Sequence, residues 1–210
     1  MSTATIHASS IIKSAFPETD WQEIKPAEYE EVFQALLEAG TLNASAVQFM
    51  KQAKTKLGFH EQYKSGAGWT LLRNITLAPG EKLLDPYTLC LISHEVFHAQ
   101  QSILTRLSVV GELLAWQYQI KAYHELTGKS IGDQGEAYGG TKQYWDQIAQ
   151  LSADSRDDLL KAQVLMKKVA PGYRSDCLPL FPLIKEIGFY LGRGRIKEAF
   201  DVVWNLITCK

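Results

Sequence analysis

Cysteine is scarce in this chain. Cys90, Cys177 and Cys209 are far apart, odd in number and form no C-x-x-C pair. That spacing excludes a thiolate metal knuckle and a disulfide-stapled scaffold, and it predicts reduced thiols. Long apolar runs are missing too. None approaches the ~20 residues a membrane helix needs, so no membrane partner is expected. The first twenty residues lack the apolar stretch of a secretory signal, which predicts a cytoplasmic protein while leaving signal-independent export open. Charge of one sign is also absent: 22 basic against 23 acidic residues give a net charge of −1, with no basic arm or acidic tail. The chain therefore carries no field that would gather nucleic acid. Repeats, low-complexity tracts and Gly/Ser linkers are absent as well.

What remains is an ordinary globular composition, 46% hydrophobic and 21% charged over 210 residues, which fits one domain. Apolar residues recur at helical spacing along most of it. A helix is predicted over 26–39, with Pro26 at its start, Gly40 past its end and Tyr29, Val32, Phe33, Leu36 and Leu37 as its stripe. A second is predicted over about 44–57, closed by Gly58. The period then changes. Residues 59–63 and 69–77 are short β-prone runs around the loop 64–68, which reads as an antiparallel hairpin. Asp85-Pro86 is an N-cap followed by an N1 proline and opens a helix reaching about Gln101. Further helices are predicted at 111–126 (closed by Gly128), 142–151, 155–169, 183–191 and 196–207, with a glycine-rich loop over 132–140. The fold class is α+β, mainly helical, with a small antiparallel sheet beside the 86–101 helix.

That helix carries His94-Glu95-Val96-Phe97-His98, the pattern H-E-x-x-H. Residues four apart on an α-helix lie about 40° apart around the axis and about 6 Å along it, so both imidazoles reach one metal ion. Glu95 projects beside them, where it can take a proton from water at the metal. A catalytic zinc has three protein ligands and an open position. The third candidate is Glu112, fourteen residues after His98 and near the start of the next helix. Ala115, one turn on, lets the two helices approach. His124 and Glu125, a full helix further along, are the alternatives.

This order of strand, H-E-x-x-H helix, turn and helix opening on a glutamate resembles the zincin metallopeptidases, in particular their gluzincin-like branch. The resemblance spans about residues 58–126. It implies zinc held by His94, His98 and Glu112, Glu95 as general base, and a peptide or protein substrate laid along the strand predicted at 69–77. Two departures stand out. The spacer before Glu112 is shorter than in thermolysin-like enzymes and lacks their N-E-x-x-S-D motif. Gln101 and Leu104 occupy the glycine and third-histidine positions of the metzincin extension. Zincin chemistry also implies a donor for the developing oxyanion, for which Tyr138, Tyr173 and Arg174 are the candidates and His124 a lesser one. The resemblance implies hydrolysis of a peptide bond, against a broad substrate range or one dedicated protein target. The competing reading is a metal-binding pseudo-enzyme or interaction module whose zinc is structural, closed by a fourth protein ligand. The sequence is silent on oligomeric state.

Overall fold

The computed structural model describes residues 21–61, 66–69, 74–133, 140–169 and 175–208. Among them the fold is α+β, mainly helical, with one small sheet. Helix α1, Pro26–Ala39, buries Val32, Phe33 and Leu36, and its first turn is closed by the Lys25 backbone N–H donating to Glu28 Oε2 (2.7 Å). Helix α2 runs over Thr41–Ala53 and ends on Lys54 in the left-handed conformation (φ 51°), four residues before the expected stop. Leu57 and Gly58 belong instead to a strand. Gly58 is glycine because a Cβ there would sit 2.5 Å from the Gln22 carbonyl oxygen and 2.6 Å from the Trp21 ring.

The sheet holds β1 (Gln22–Glu23), β2 (Leu57–Phe59), β3 (Ala67–Trp69) and β4 (Ile75–Leu77), in the order β1-β2-β4-β3. It is mixed, which corrects the antiparallel sheet expected from the sequence. β1 lies antiparallel to β2 and β3 antiparallel to β4, but β2 and β4 are parallel, with Leu57 opposite Ile75 and Phe59 opposite Leu77. The small residues Ala67 and Gly68, read as loop, form the edge strand β3. The buried strand β4 takes a neighbour on each side, as a strand whose three residues are all buried requires.

Helix α3, Pro86–Gln100, is the central element. Asp85 caps it by accepting from Tyr87 N (2.9 Å), as the Asp-Pro pair predicted. Eleven of its residues are buried, because it packs on α2, on β3 and β4, and above all on α5. A short helix α4, Ile103–Arg106, turns the chain back into α5, Val109–Thr127, which ends on Gly128 in the left-handed region (φ 68°). Then follow α6 (Lys142–Gln150), α7 (Arg156–Val169), a 3₁₀ turn (Ser175–Cys177), α8 (Leu183–Leu191) and α9 (Ile196–Thr208).

Two apolar clusters flank α3. One joins α1, α2 and the sheet to Leu89, Ile92 and Val96; the other joins α5, α6 and α7 around Trp145. Cys90 is a free, buried thiol, but Cys177 takes part in a disulfide, against the thiols expected throughout. Pairing between residues distant in sequence cannot be read from spacing. No helix among the described residues is long and apolar enough to cross a membrane.

Candidate metal centre

The α3–α5 seam brings together the three residues picked out by motif. His94, His98 and Glu112 each offer a ligand atom within 4.8 Å of the other two. His98 Nε2 lies 3.1 Å from His94 Nε2 and 2.9 Å from Glu112 Oε1. Two ligands on a tetrahedral ion at 2.0–2.1 Å are about 3.3 Å apart, so a few tenths of an ångström of opening seats an ion of that size. The donor set, two imidazoles and one carboxylate, suits such an ion.

Local structure explains why Glu112 arrives here. The Ser108 hydroxyl caps α5 by accepting from Gly111 N (3.2 Å), fixing the first turn that carries Glu112. The N–H groups of Val109 and Val110 donate to the carbonyls of Pro179 and Leu180, which anchors the same turn. Gly111 permits the sharp return from α4: a Cβ there would overlap the Thr105 carbonyl oxygen. Ala115 is fully buried in the seam, as its size predicted.

Several contacts orient the ligands. Gln101 Oε1 faces His98 Nδ1 (3.1 Å), while Gln101 Nε2 donates to the Gly111 carbonyl (3.0 Å). The amide is thereby fixed with its oxygen toward the ring, and His98 Nδ1 carries the proton, leaving Nε2 for the cluster. Trp116 Nε1 donates to Glu112 Oε2 (3.3 Å), and its ring packs edge-on against His94 (6.2 Å). The Ala115 carbonyl and Gln119 lie close enough to favour a proton on His94, although neither makes a well-aligned bond to Nδ1.

All four side chains, including Glu95, are only 1–6% exposed. Burial, reinforced by His98, pulls His94 down to about 3. Burial acts on His98 in the same direction. There, however, the charge and hydrogen bond of Glu112, with Glu95 and Gln101, prevail and raise it above its ordinary value. Of the two imidazoles, His98, against Glu112, is the one whose surroundings favour the charged form. Glu95 Oε1 is 4.0 Å from His94 Nε2, and burial pushes its carboxyl up to about 7, assisted by Glu112 and opposed by His98 and Arg106.

The alternative ligands are placed elsewhere. His124 is exposed in the last turn of α5. Glu125 caps α2: its carboxylate accepts from the backbone N–H groups of Leu42 (3.0 Å) and Asn43 (3.1 Å) and from the Asn43 side chain (3.0 Å). Tyr138, Tyr173 and Arg174 lie outside the described residues.

The structure adds residues that the motif reading passed over. Trp116 and Gln101 sit one turn from Glu112 and His98, so helical spacing could have found them. Tyr144, on α6, had no such signal. Its ring stacks edge-on against Trp116 (5.7 Å), its buried hydroxyl has no hydrogen-bond partner among the described residues, and burial raises its pKa, with Tyr87 and Glu112 contributing. Strand β3 forms the sheet edge beside this site, with the Trp69 ring 6.4 Å from that of His98. No family model, curated protein or solved structure matches the chain.

Proposed function

We propose that this chain is a zinc-dependent hydrolase of peptide bonds with a zincin-like arrangement. The observation that carries the reading is the convergence of His94, His98 and Glu112 with Glu95 beside them. Zinc, when bound, supplies a Lewis acid that polarises a carbonyl and acidifies water. His94, His98 and Glu112 would hold it, the two histidines through Nε2 and the glutamate through a carboxylate oxygen.

Glu95 takes the proton from the attacking water. Its buried carboxylate, with Oε1 4.0 Å from His94 Nε2, stands beside the place of the ion, where a general base for that water belongs. As the water oxygen bonds to the carbonyl carbon, that proton passes through Glu95 to the departing amine nitrogen, and the C–N bond breaks. Tyr144, whose ring packs on Trp116 beside His94, is an oxyanion donor in this reading alongside Tyr138, Tyr173 and Arg174. Edge strand β3 presents its outer side to an extended peptide.

The burial of all four groups also suits a structural ion, and that is the second reading. One experiment separates the two. Purified wild type is expected to bind one zinc and cleave a peptide library, as read by mass spectrometry. Glu95→Gln should retain the zinc and lose at least about a hundredfold in rate. Glu112→Ala should lose the zinc. If wild type and Glu95→Gln bind zinc equally and neither cleaves peptide, the structural reading stands.

A further inference from the structure

The C-terminal hairpin leaves an apolar face uncovered. Helix α8 exposes Ile184 and Leu191, and α9 exposes Ile196, Phe200, Trp204 and Ile207, each at 50–71%. On α9 these recur at intervals of four, four and three residues, which places them in one stripe along the helix. A neighbouring face of α9 is used inward, through the buried Ala199 and through Leu206. The two helices pack on each other, joined by a turn in which Gly194 takes the left-handed conformation (φ 70°). The hairpin is tied to the body by Arg156, which grips the buried Glu186 through two bonds (2.8 and 3.1 Å) and donates to the Tyr190 hydroxyl (2.8 Å). It is therefore held as a platform.

We propose that this face is the contact between two copies of the chain, two α8–α9 hairpins closing into a four-helix bundle. Three observations favour a second copy. A helical hairpin with one inner and one outer apolar face is half of such a bundle, and a two-fold axis buries the same stripe on both sides. Large side chains present roughly 150–250 Å² each, so the exposed parts of these six amount to on the order of 700 Å². That exceeds the patch a monomer usually leaves open and approaches the ~800 Å² each partner gives to a stable interface. The exposed charges of the hairpin are mixed, Lys185, Arg193, Arg195 and Lys197 against Glu198 and Asp201, with Arg195 Nε paired to Glu198 Oε1 (2.9 Å) and Lys185 and Arg193 set over the Phe181 and Phe189 rings. Helix α9 itself carries Lys197 against Glu198 and Asp201, so the stripe lacks the strongly basic polar face that draws an amphipathic helix to an anionic membrane.

Sedimentation of the full chain tests this, alongside flotation with vesicles of phosphatidylcholine and phosphatidylglycerol. Wild type is expected at twice the 23.6 kDa of one chain. Phe200→Glu with Trp204→Glu should sediment as a monomer. Its circular dichroism should be unchanged, because both side chains are exposed in the single chain. A wild type that stays monomeric up to about 100 µM overturns the proposal, since a standard-size apolar interface forms below that concentration. A double variant that still dimerises overturns it as well, and wild type that floats with vesicles as a monomer assigns the face to lipid.

Discussion

His98 is held from three directions through one ring. Gln101 fixes Nδ1, Glu112 and His94 meet Nε2, and Trp69 packs nearby. Such a ring has little freedom to turn away, as a ligand held within a fraction of an ångström requires. Tyr144 presents the opposite case. Its hydroxyl is buried and meets no partner among the described residues, so it carries a desolvation cost without a bond to offset it there. A substrate oxygen is the acceptor that would satisfy it. Tyr144→Phe should then lower kcat by about a hundredfold, the effect of one oxyanion donor, with KM and bound zinc nearly unchanged. Its melting temperature should stay level or rise, because the deleted group had no bond to lose. A purely packing role predicts the reverse, an unchanged kcat per bound metal with a lower melting temperature, and that result would remove Tyr144 from the mechanism.

At the scale of elements, the centre depends on how closely α4 and α5 fold back beneath α3. Gly111 sits at the tightest point. Alanine there would force the Thr105 carbonyl to move, since its Cβ and that oxygen would claim the same space. Overpacking of this kind costs about 1–3 kcal/mol, or roughly 2–12 °C for a chain of this size. Glu112 follows Gly111 directly, so Gly111→Ala should weaken zinc binding as well as lower the melting temperature. Unchanged values for both, by calorimetry, would show that the elbow is not what places Glu112.

The helices α1, α3, α5 and α8 were legible because capping and period agreed: Pro26, Asp85-Pro86 and Gly128 mark ends that the structure keeps. The end of α2 was not, because Lys54, a residue with no turn signature, supplies the left-handed cap. Gly58 looked like a stop signal but answers to the Trp21 ring, a contact from a distant part of the chain. The parallel pairing of β2 with β4 was hidden for the same reason: strands of three residues carry too little pattern to announce their neighbours. The clustering of His94, His98 and Glu112 was legible because two of them share one helix and the third starts the next. Tyr144, which meets Trp116 from α6, has no sequence relation to any of them.

For the whole molecule, the metal cluster sits where the two apolar clusters meet, between the sheet side and the α5–α7 side. An ion shared by α3 and α5 would therefore pin the two halves together. Without an ion, two buried imidazoles and a buried carboxylate meet there with no divalent charge to hold them. His94, His98 and Glu112 converge only in the folded chain, so an ion held there would favour the native state over the unfolded one. At a thousandfold excess over its dissociation constant, that adds about 4 kcal/mol, which at this size raises the melting temperature by roughly 8–16 °C. Chelation should lower the melting temperature of the wild type by this amount, and added zinc should restore it. Glu112→Gln should melt near the chelated wild type and respond much less to either treatment. Melting that ignores both chelator and zinc would mean that no ion bridges α3 and α5, and the proposed hydrolase would lose its foundation along with the structural alternative.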